Sequence, residues 1–453
     1  MESDSKRSGE GPAEKLPLEV IEDILSRVRI APDVIRASVT CKMWREAYCK
    51  HLHTLSFGVS SFKFPKGQDS VPDIEMLVTK AILQTRGLRK LSIQMGNSYH
   101  FSASSVCSWL MCVRETLSEL CCEVRTSTRV NVLDIFEGRK LEILSLSDCK
   151  MGRVKQNIQR FQCLTSLSLR NVSISVEHLN RFLNALPKLE SLKLEASFLE
   201  PSWVSFYDEF VETEKVVKVH CPTLKTLFLE NMKLSQFILE SSIIEYLQVE
   251  CCSFKLFEVY GSKTLRDLKI SHSRARLLEI DGTNNLESFE FVKSATNSNL
   301  FQMMMQSAKM KKIRLWGLEK YKRNHDGESE QRVLDLERMA ICSPQLSHLA
   351  ILCDEGVDGL VYRFGGSASF EKVMVLEIGW HGFDGFGAWA ERLLKCCPNV
   401  KKVTVHWAIE EKNSNKLKSL SVQSSLMIEM MRKYQHIEMH FAFLYDHESE
   451  EYF

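Results

Sequence analysis

The chain has 453 residues, which is more than one hydrophobic core normally serves, so several domains or an array of repeats are expected. Its 44% hydrophobic and 26% charged residues are typical of a folded protein and exclude wholesale disorder. The formal net charge is only +1, which argues against a nucleic-acid partner, since such proteins usually carry a basic excess.

Folded structure is predicted to begin near Lys15, because residues 1–14 have the polar composition of a disordered tail. Pro17 suits the first turn of a helix, and apolar residues then recur at helical spacing. Ala31 opens a second predicted helix, and Thr40 is the expected N-cap of a third. Three short helices bury little core alone. They either cap the domain that follows or present an apolar binding surface, and the pattern leaves both open.

These helices resemble an F-box, by an opening and a closing motif at the usual separation. The motif residues are Leu16, Pro17 and Glu19, then Cys41, Lys42, Trp44 and Arg45. The resemblance covers residues 15–51 and implies docking on a Skp-type adaptor and, through it, on a cullin–RING scaffold. The residues expected to contact that adaptor are Leu16, Pro17, Val20, Ile21, Ile24, Leu25, Val34, Ile35, Val39 and Trp44.

The rest of the chain repeats one pattern, L-x-x-L-x-L, in which other apolar residues also fill the leucine positions. We call its first residue the repeat start. The starts are Leu52, Leu88, Leu117, Leu141, Leu164, Leu189, Leu224, Ile244, Leu265, Leu286, Met310, Leu346, Val373, Val400 and Tyr434. Their mean step of about 27 residues is that of leucine-rich repeats, in which each repeat supplies one strand.

Together the two patterns resemble the plant F-box/LRR-repeat proteins over nearly the whole chain. The predicted fold class is α/β, a three-helix F-box followed by a leucine-rich-repeat horseshoe with a parallel concave sheet. The predicted domains are a tail at 1–14, the F-box at 15–51, the repeats at 52–445 and an acidic tail at 446–453. The resemblance implies a non-catalytic subunit of an SCF-type ubiquitin ligase whose repeats bind the protein substrate.

The fifteen cysteines include no C-x-x-C pair, and the N-terminus carries no secretory signal. Free thiols in a reducing compartment are therefore expected, in the nucleus, the cytoplasm or both. Cys149 and Cys252 each follow a repeat start by eight residues, where the repeat consensus has Asn or Cys. We interpret them as structural positions of the repeat rather than as redox or metal sites.

No catalytic constellation stands out, and no stretch reaches the ~18 apolar residues of a membrane helix. His381 and Asp384 lie close together, but no nucleophile accompanies them at a fixed spacing. The segment from Gly356 to Gly387 is rich in glycine and aromatic residues. This composition suits either partner-binding loops or aromatic side chains packed over a loose repeat.

Side chains alternate along a strand, so the non-leucine positions of each repeat should face the concave surface. Three successive repeats place glutamate at one position, and a basic residue with an aromatic residue follows further along. The candidate substrate-binding residues are Glu195, Phe228, Glu230, Glu250, Arg314 and Trp316. Such a patch would select a protein substrate, although an ordinary solvated sheet face is the alternative.

Two other functions stay open. The dense basic group Lys309, Lys311, Lys312 and Arg314 would suit an inositol phosphate or another small ligand, as implied for some relatives in the wider F-box/LRR group. Alternatively, the chain would be a protein-binding scaffold without a ligase role. The residues themselves indicate no cofactor.

Overall fold

The computed structural model of the chain describes most residues, and the two predicted tails and the His381–Asp384 pair lie outside them. The described ranges are 16–28, 31–59, 71–128, 130–149, 151, 154–155, 161–195, 215–296, 300–319, 333–353, 361–364, 369–380, 385–409 and 416–445. The chain divides into two compact units, Met1–Pro201 and Ser202–Phe453.

The first unit alternates helices and strands. Its described helices are α1 (Leu18–Arg27), α2 (Ala31–Ser38), α3 (Lys42–His51), α4 (Val71–Gln84), α5 (Ala103–Val113), α6 (Val132–Phe136) and α7 (Val176–Asn184). Its described strands are β1 (Thr54–Gly58), β2 (Lys90–Phe101), β3 (Glu119–Thr126), β4 (Ile143–Ser147), β5 (Ser166–Arg170) and β6 (Ser191–Glu195).

The three predicted N-terminal helices are present as α1, α2 and α3. Helix α1 begins directly after Pro17, whose carbonyl accepts hydrogen bonds from the backbone N–H groups of Val20 and Ile21. The expected N-cap of α3 was wrong, because Cys41 takes that position. The Thr40 hydroxyl instead donates back to the Ala37 carbonyl at 2.7 Å. Thr40 therefore closes the end of α2 rather than opening α3.

Hydrogen bonds tie α3 to the first repeat. The Tyr48 hydroxyl donates to the Ala81 carbonyl of α4 at 3.1 Å, inside the unit. The Arg86 N–H donates to the Cys49 carbonyl at 2.9 Å. Because no linker separates α3 from β1, these bonds fix the helical segment against the repeat that follows it.

The main ladder of the first unit holds β1 to β6 side by side, in chain order and parallel. Each strand aligns the same repeat position with that of its neighbour, so that Leu55 lies beside Leu91, and Leu91 beside Leu120. These leucines are buried. The leucine pattern therefore forms one continuous core along the array, as expected for stacked repeats.

The second unit contains more strands than helices. Its described strands are β7 (Val216–His220), β8 (Thr226–Glu230), β9 (Lys233–Glu240), β10 (Tyr246–Glu250), β11 (Ser253–Tyr260), β12 (Asp267–Ser271), β13 (Arg274–Ile280), β14 (Ser288–Thr296), β15 (Lys312–Glu319), β16 (Val333–Asp335), β17 (His348–Cys353), β18 (Val361–Arg363), β19 (Val375–Trp380), β20 (Lys402–Ile409) and β21 (Glu438–Tyr445). Its described helices are α8 (Leu300–Met304), α9 (Leu336–Cys342), α10 (Phe386–Cys396) and α11 (Lys416–Lys433), with a 3₁₀ turn at Thr283–Asn285.

Two parallel ladders run through this unit. The main ladder has the order β8–β10–β12–β14–β15–β17–β19–β20–β21. The second ladder, β7–β9–β11–β13–β14, was not predicted, since the repeat pattern assigns one strand to each repeat. A separate pair joins β16 to β18. The α/β class and the parallel repeat array are as predicted.

The leucine pattern located the repeat strands closely. In each of the first fourteen repeats, the main-ladder strand begins two residues after the predicted start. The last start was wrong by two residues, because β21 pairs Glu438 with Lys402 and so places His436, not Tyr434, opposite Val400. Ile437 is nevertheless buried, which explains why the apolar pattern pointed to the wrong register.

The aromatic residues of the glycine-rich segment pack inward where the structure describes them. Phe386 and Trp389 of α10 are 1% and 9% exposed. The Trp389 ring lies 5.4 Å from the ring of Tyr362, measured between centroids. These contacts favour the interpretation in which the aromatic residues cover a loosely packed repeat.

A left-handed turn follows the main-ladder strand in many repeats. The seventh residue after the start has positive φ at Asp148, Asn171, Asn231, Cys251, His272, Lys293 and Gly317. Most of these are not glycine, although L-residues pay an energetic penalty in this region. The turn is retained because the backbone N–H of the positive-φ residue donates to the next strand. The Cys251 N–H, for example, donates to the Ser271 carbonyl.

The eighth residue of successive repeats forms a buried hydrogen-bonded ladder. The Met232 N–H donates to Cys252 Sγ at 3.4 Å, and the Cys252 N–H donates to Ser273 Oγ at 3.1 Å. The Ser273 N–H continues the ladder to Ser294 Oγ at 3.0 Å. Burial raises the pKa of the Cys252 thiol to about 12, so it stays protonated and donates to the Glu250 carbonyl. This contact pattern agrees with the structural role predicted for Cys252.

The backbone of Ser262 lies very close to Gly282, whereas the space beside Gly261 is open. Both have positive φ, but a Cβ on Gly282 would lie 2.0 Å from the Ser262 carbonyl oxygen, whereas one on Gly261 would meet nothing within 4 Å. We predict that Gly282→Ala lowers the free energy of unfolding by about 1–3 kcal/mol more than Gly261→Ala does. Urea denaturation of the two variants measures the difference, and equal losses would contradict the close approach.

Removing the Ser273 hydroxyl should leave the buried Cys252 N–H without an acceptor. We predict that Ser273→Ala costs about 1–3 kcal/mol of stability, the usual penalty for an unsatisfied buried donor. Ser242→Ala is the control, because Ser242 is exposed in the same unit and should change stability by less than about 0.5 kcal/mol. Thermal unfolding of both variants is the measurement, and a neutral Ser273→Ala would count against the ladder.

Candidate functional site

The first candidate surface lies on α1, α2 and α3. The ten residues expected to contact an adaptor fall into three exposure groups. Pro17, Val20 and Val39 are exposed, Leu16, Ile24, Ile35 and Trp44 are half-buried, and Ile21, Leu25 and Val34 are buried.

The buried group corrects the predicted surface. Ile21, Leu25 and Val34 are at most 1% exposed, so they form the core of the helices and do not face a partner. The exposed fractions of Val20 and Val39 are 41% and 76%. The apolar surface that a partner can reach is therefore narrower than the motif implied, and the buried residues hold it in place.

The second candidate surface is the side of each main ladder that faces away from the leucine core. We call it the open face. It consists of the second, fourth and sixth residues after each repeat start. Because strands in register lie ~4.8 Å apart, residues at one such position form a row across the strands. Five of the six predicted substrate-binding residues lie on the open face of the second unit, and Glu195 lies on that of the first.

The predicted run of three carboxylates is not assembled within one unit. In the second unit, Glu230 and Glu250 are register neighbours, and the next strand places Ser271 beside Glu250. The Gln248 amide donates to the Glu250 carboxylate at 3.0 Å. In the sixth-position row of this open face, the predicted run of glutamates is therefore reduced to the pair Glu230 and Glu250.

The other two members of the predicted acidic patch have ordinary surroundings. In the first unit, Lys193 lies 2.9 Å from the Glu195 carboxylate, and Arg170 is its register neighbour. Phe228 is half-buried and lies beside Gln248 in the register. Glu195 is therefore neutralised locally by Lys193.

The lysines of the predicted basic group are all engaged with neighbours. Lys309 donates to the Asn285 side-chain oxygen at 2.7 Å, and Lys311 lies 2.5 Å from a Glu287 carboxylate oxygen. Lys312 forms an ion pair with Glu290 across the ladder. These contacts leave less free positive charge than the sequence suggested, which weakens the case for an inositol phosphate at this group.

Arg314 and Trp316 belong to a mixed cluster that the sequence did not reveal. Its centre is Glu377 on β19, whose carboxylate is approached from three other strands. His348 Nε2 lies 2.8 Å from Oε1, His406 Nε2 lies 3.3 Å from Oε2, and an Arg314 nitrogen lies 3.9 Å from Oε2. Because a carboxylate only accepts, each histidine nitrogen donates to it.

Aromatic contacts complete this cluster. The Trp316 ring meets the His406 ring edge-on at 5.0 Å, and the Arg314 guanidinium lies 5.8 Å from the Trp316 ring centroid. Trp316 is only 6% exposed although it belongs to the open face. We call Arg314, Trp316, His348, Glu377 and His406 the Glu377 cluster.

Small residues on the intervening strands make the cluster possible. Ala350 lies between Arg314 and Glu377 in the register, and Gly379 lies beside His406. A methyl group and a hydrogen leave a depression, so that long side chains from β15 and β20 reach across one or two strands, about 5–10 Å. The cluster therefore depends on register and not on any local sequence motif.

Charge explains how Glu377 stays ionised while it is mostly buried. Hydrogen bonds from His348 and His406, together with the positive field of Arg314, hold the pKa of the Glu377 carboxyl far below its usual range. Burial acts in the opposite direction but is outweighed. The carboxylate thus fixes the positions of His348 on β17 and His406 on β20 on the open face.

Other kinds of site find no support in the described ranges. Within them, no group of three His, Cys, Asp or Glu side chains is arranged to hold a metal ion. None of the described helices is both long enough and apolar enough to cross a membrane.

Comparison with known proteins identifies relatives of the whole chain. A model of the F-box domain matches residues 14–47, and a model described as "FBD-associated F-box protein At5g56370, LRR repeats" matches residues 113–209. The Arabidopsis thaliana "F-box/LRR-repeat protein At1g67190" is 37% identical over 434 residues, which cover 94% of this chain and 99% of that protein. The "F-box protein At1g10780" of the same plant is 27% identical over 61% of this chain and 62% of its own length.

Glu377 should contribute stability that depends on pH. Folding lowers the pKa of the Glu377 carboxyl below its value of about 4.5 in the unfolded chain. The ionised carboxylate therefore contributes its full stabilisation at pH values above 4.5. This stabilisation is lost as the pH falls towards the lower pKa of the folded state. We predict that Glu377→Gln costs about 2–3 kcal/mol at pH 7, and that the difference from the unsubstituted protein narrows below pH 4.5. Urea denaturation across this pH range is the measurement.

The matched control is Glu371→Gln. Glu371 is exposed and lies four residues before β19, and the same chemical change there should cost less than about 0.5 kcal/mol. A Glu377→Gln cost that does not change with pH would contradict the assignment of the ionised carboxylate.

Proposed function

We propose a function that proceeds from one premise, namely that this chain belongs to the F-box/LRR-repeat proteins of plants. Membership makes it an F-box substrate receptor in the general sense, and F-box domains bind Skp-type adaptors. The finer proposal is that it is the substrate-recognition subunit of an SCF-type cullin–RING ubiquitin ligase. In this role α1–α3 bind the adaptor, and the repeats bind the protein to be ubiquitinated.

The observation that carries the proposal is the apolar surface that remains on α1–α3. A compact unit that buries Ile21, Leu25 and Val34 still leaves Pro17, Val20 and Val39 exposed. Exposed apolar side chains in one short segment are typical of a binding surface. The alternative in which these helices only cap the repeats would not require Val39 to be 76% exposed.

The repeats would supply the receptor surface. The open face of each main ladder presents rows of polar side chains on a regular backbone, a suitable platform for a folded or extended protein partner. We propose that Phe228, Glu230, Glu250, Arg314 and Trp316 contribute to substrate binding in the second unit. Glu195 would contribute in the first unit.

The chain would make and break no bond itself in this role. Its contribution would be to raise the effective concentration of a substrate lysine near a ubiquitin-conjugating enzyme brought by the scaffold. The hydrogen bonds between α3 and the first repeat support this role, since they limit motion between the adaptor-binding helices and the start of the array. Such a ligase would act in the nucleus, the cytoplasm or both.

Replacing exposed apolar residues of the helices with a charge should weaken adaptor binding. We predict that Val20→Asp and Val39→Asp each weaken binding of a Skp-type adaptor by at least about tenfold, because a carboxylate would be desolvated in the interface. Calorimetry or surface plasmon resonance with the purified adaptor is the measurement.

The control is Met111→Asp, which places the same charge on α5 of the same unit, where Met111 is 46% exposed. It should bind the adaptor like the unsubstituted chain. Full adaptor affinity in both valine variants would refute the proposed surface.

A further inference from the structure

We infer that Arg314 is the anchor for an anionic side chain of the protein substrate, a carboxylate or a phosphate. The inference rests on the proposed function, because it assumes that the open face of the second unit holds a substrate. It narrows the substrate to proteins that present an acidic or phosphorylated residue to the Glu377 cluster.

The first observation is that the N–H donors of the Arg314 guanidinium form no hydrogen bond with any described residue. Among the described residues it donates no hydrogen bond, and its Nε is buried without a partner. With the residues that the structure describes, its only ion pair is the 3.9 Å approach to Glu377, which is beyond hydrogen-bond distance. A charged group with five N–H donors is thus held near the surface with its donors unpaired by any described residue.

The second observation explains why Glu377 does not take these donors. Each of its carboxylate oxygens already accepts from a histidine, His348 at 2.8 Å and His406 at 3.3 Å. These two hydrogen bonds fix the orientation of the carboxylate, and in that orientation Oε2 lies 3.9 Å from an Arg314 nitrogen. The two histidines are therefore positioning residues, because they hold the carboxylate beyond hydrogen-bond distance of Arg314 and leave the arginine donors available.

The third observation is that Arg314 is held in place by contacts that leave its charge accessible. Its guanidinium stands 5.8 Å from the nearly buried Trp316 ring, and its register neighbour on the next strand is the small, buried Ala350. The side chain is 35% exposed. Arginine beside tryptophan is a combination that dominates binding energy at many protein interfaces.

Three other cations of the open face lack this combination of an arginine, unpaired donors and a neighbouring tryptophan. Lys312 is bonded to Glu290, and Lys193 and Arg170 are paired with Glu195 and Glu123. Arg314 differs because its planar fork matches two oxygens of a carboxylate or phosphate at once, which a lysine cannot do. The open face therefore offers an anion site at this strand.

The experiment uses the full chain bound to a Skp-type adaptor. The probes are four peptide libraries with randomised flanks around one fixed central residue, which is phosphoserine, glutamate, glutamine or serine. Binding is measured by pull-down with sequencing of the captured peptides, followed by fluorescence anisotropy of the enriched sequences. We expect the phosphoserine library, the glutamate library or both to bind at least about tenfold more tightly than the neutral libraries.

Variants assign the preference to Arg314. Arg314→Gln should abolish it, and Arg314→Lys, which keeps the charge but loses the fork, should reduce it. Lys269→Gln is the matched control, because Lys269 occupies the same repeat position on β12 of the same open face. It should retain the preference. His348→Ala should lower the preference, since it removes a hydrogen bond that fixes the Glu377 side chain and allows the carboxylate to turn towards Arg314 and accept from it.

The outcomes separate the anion site from the proposed function. Absence of any preference for an anionic centre, or a preference unchanged in Arg314→Gln, would overturn the inference. Equal loss in Lys269→Gln would also overturn it, because the effect would then be general charge attraction. Which anionic library is preferred identifies the source of the charge. Adaptor binding is recorded for every variant and must stay intact in Arg314→Gln. If the unsubstituted chain itself did not bind the adaptor, the proposed function would be wrong, whatever the peptide preference.

Discussion

Constant register between parallel strands is the constraint on which the rest of this structure depends. In both units, each main-ladder strand aligns its repeat positions with those of its neighbour. The third and fifth positions after the start thereby join into a continuous leucine core, and the second, fourth and sixth form rows on the open face. The left-handed turn and the Cys252–Ser273–Ser294 ladder recur for the same reason. A shift of one residue in any strand would exchange its core and open faces.

Repetition made most of the fold predictable from the sequence, and its interruptions explain the errors. The leucine spacing located the first fourteen main-ladder strands because each start repeats the same burial. At the end of the array, Tyr434 and Ile437 match the spacing of the leucine pattern, but the pairing of β21 with β20 sets the register of β21 two residues later. The leucine pattern does not reveal the second ladder, because β9, β11 and β13 follow the main-ladder strands within the same repeats, and the pattern assigns only one strand to each repeat.

Sites were harder to predict than strands because they combine residues from several repeats. Arg314 and Trp316 could be singled out, since both lie on one strand. His348, Glu377 and His406 come from three strands and carry no common motif, and the small Ala350 and Gly379 between them are visible only in the register. The adaptor motif likewise named Ile21, Leu25 and Val34 correctly as apolar residues, but only packing reveals that they are core. A row-by-row alignment of repeat positions would have brought Arg314, Ala350 and Glu377 together.

This one chain carries two kinds of surface, a small apolar surface on α1–α3 and a polar open face along the ladders. Hydrogen–deuterium exchange of the full chain, alone and with a purified Skp-type adaptor, tests this assignment most directly. The account predicts that the adaptor slows exchange in α1–α3 and leaves the main-ladder strands of the second unit unchanged. Protection confined to those strands, or no protection in α1–α3 at saturating adaptor, would contradict it.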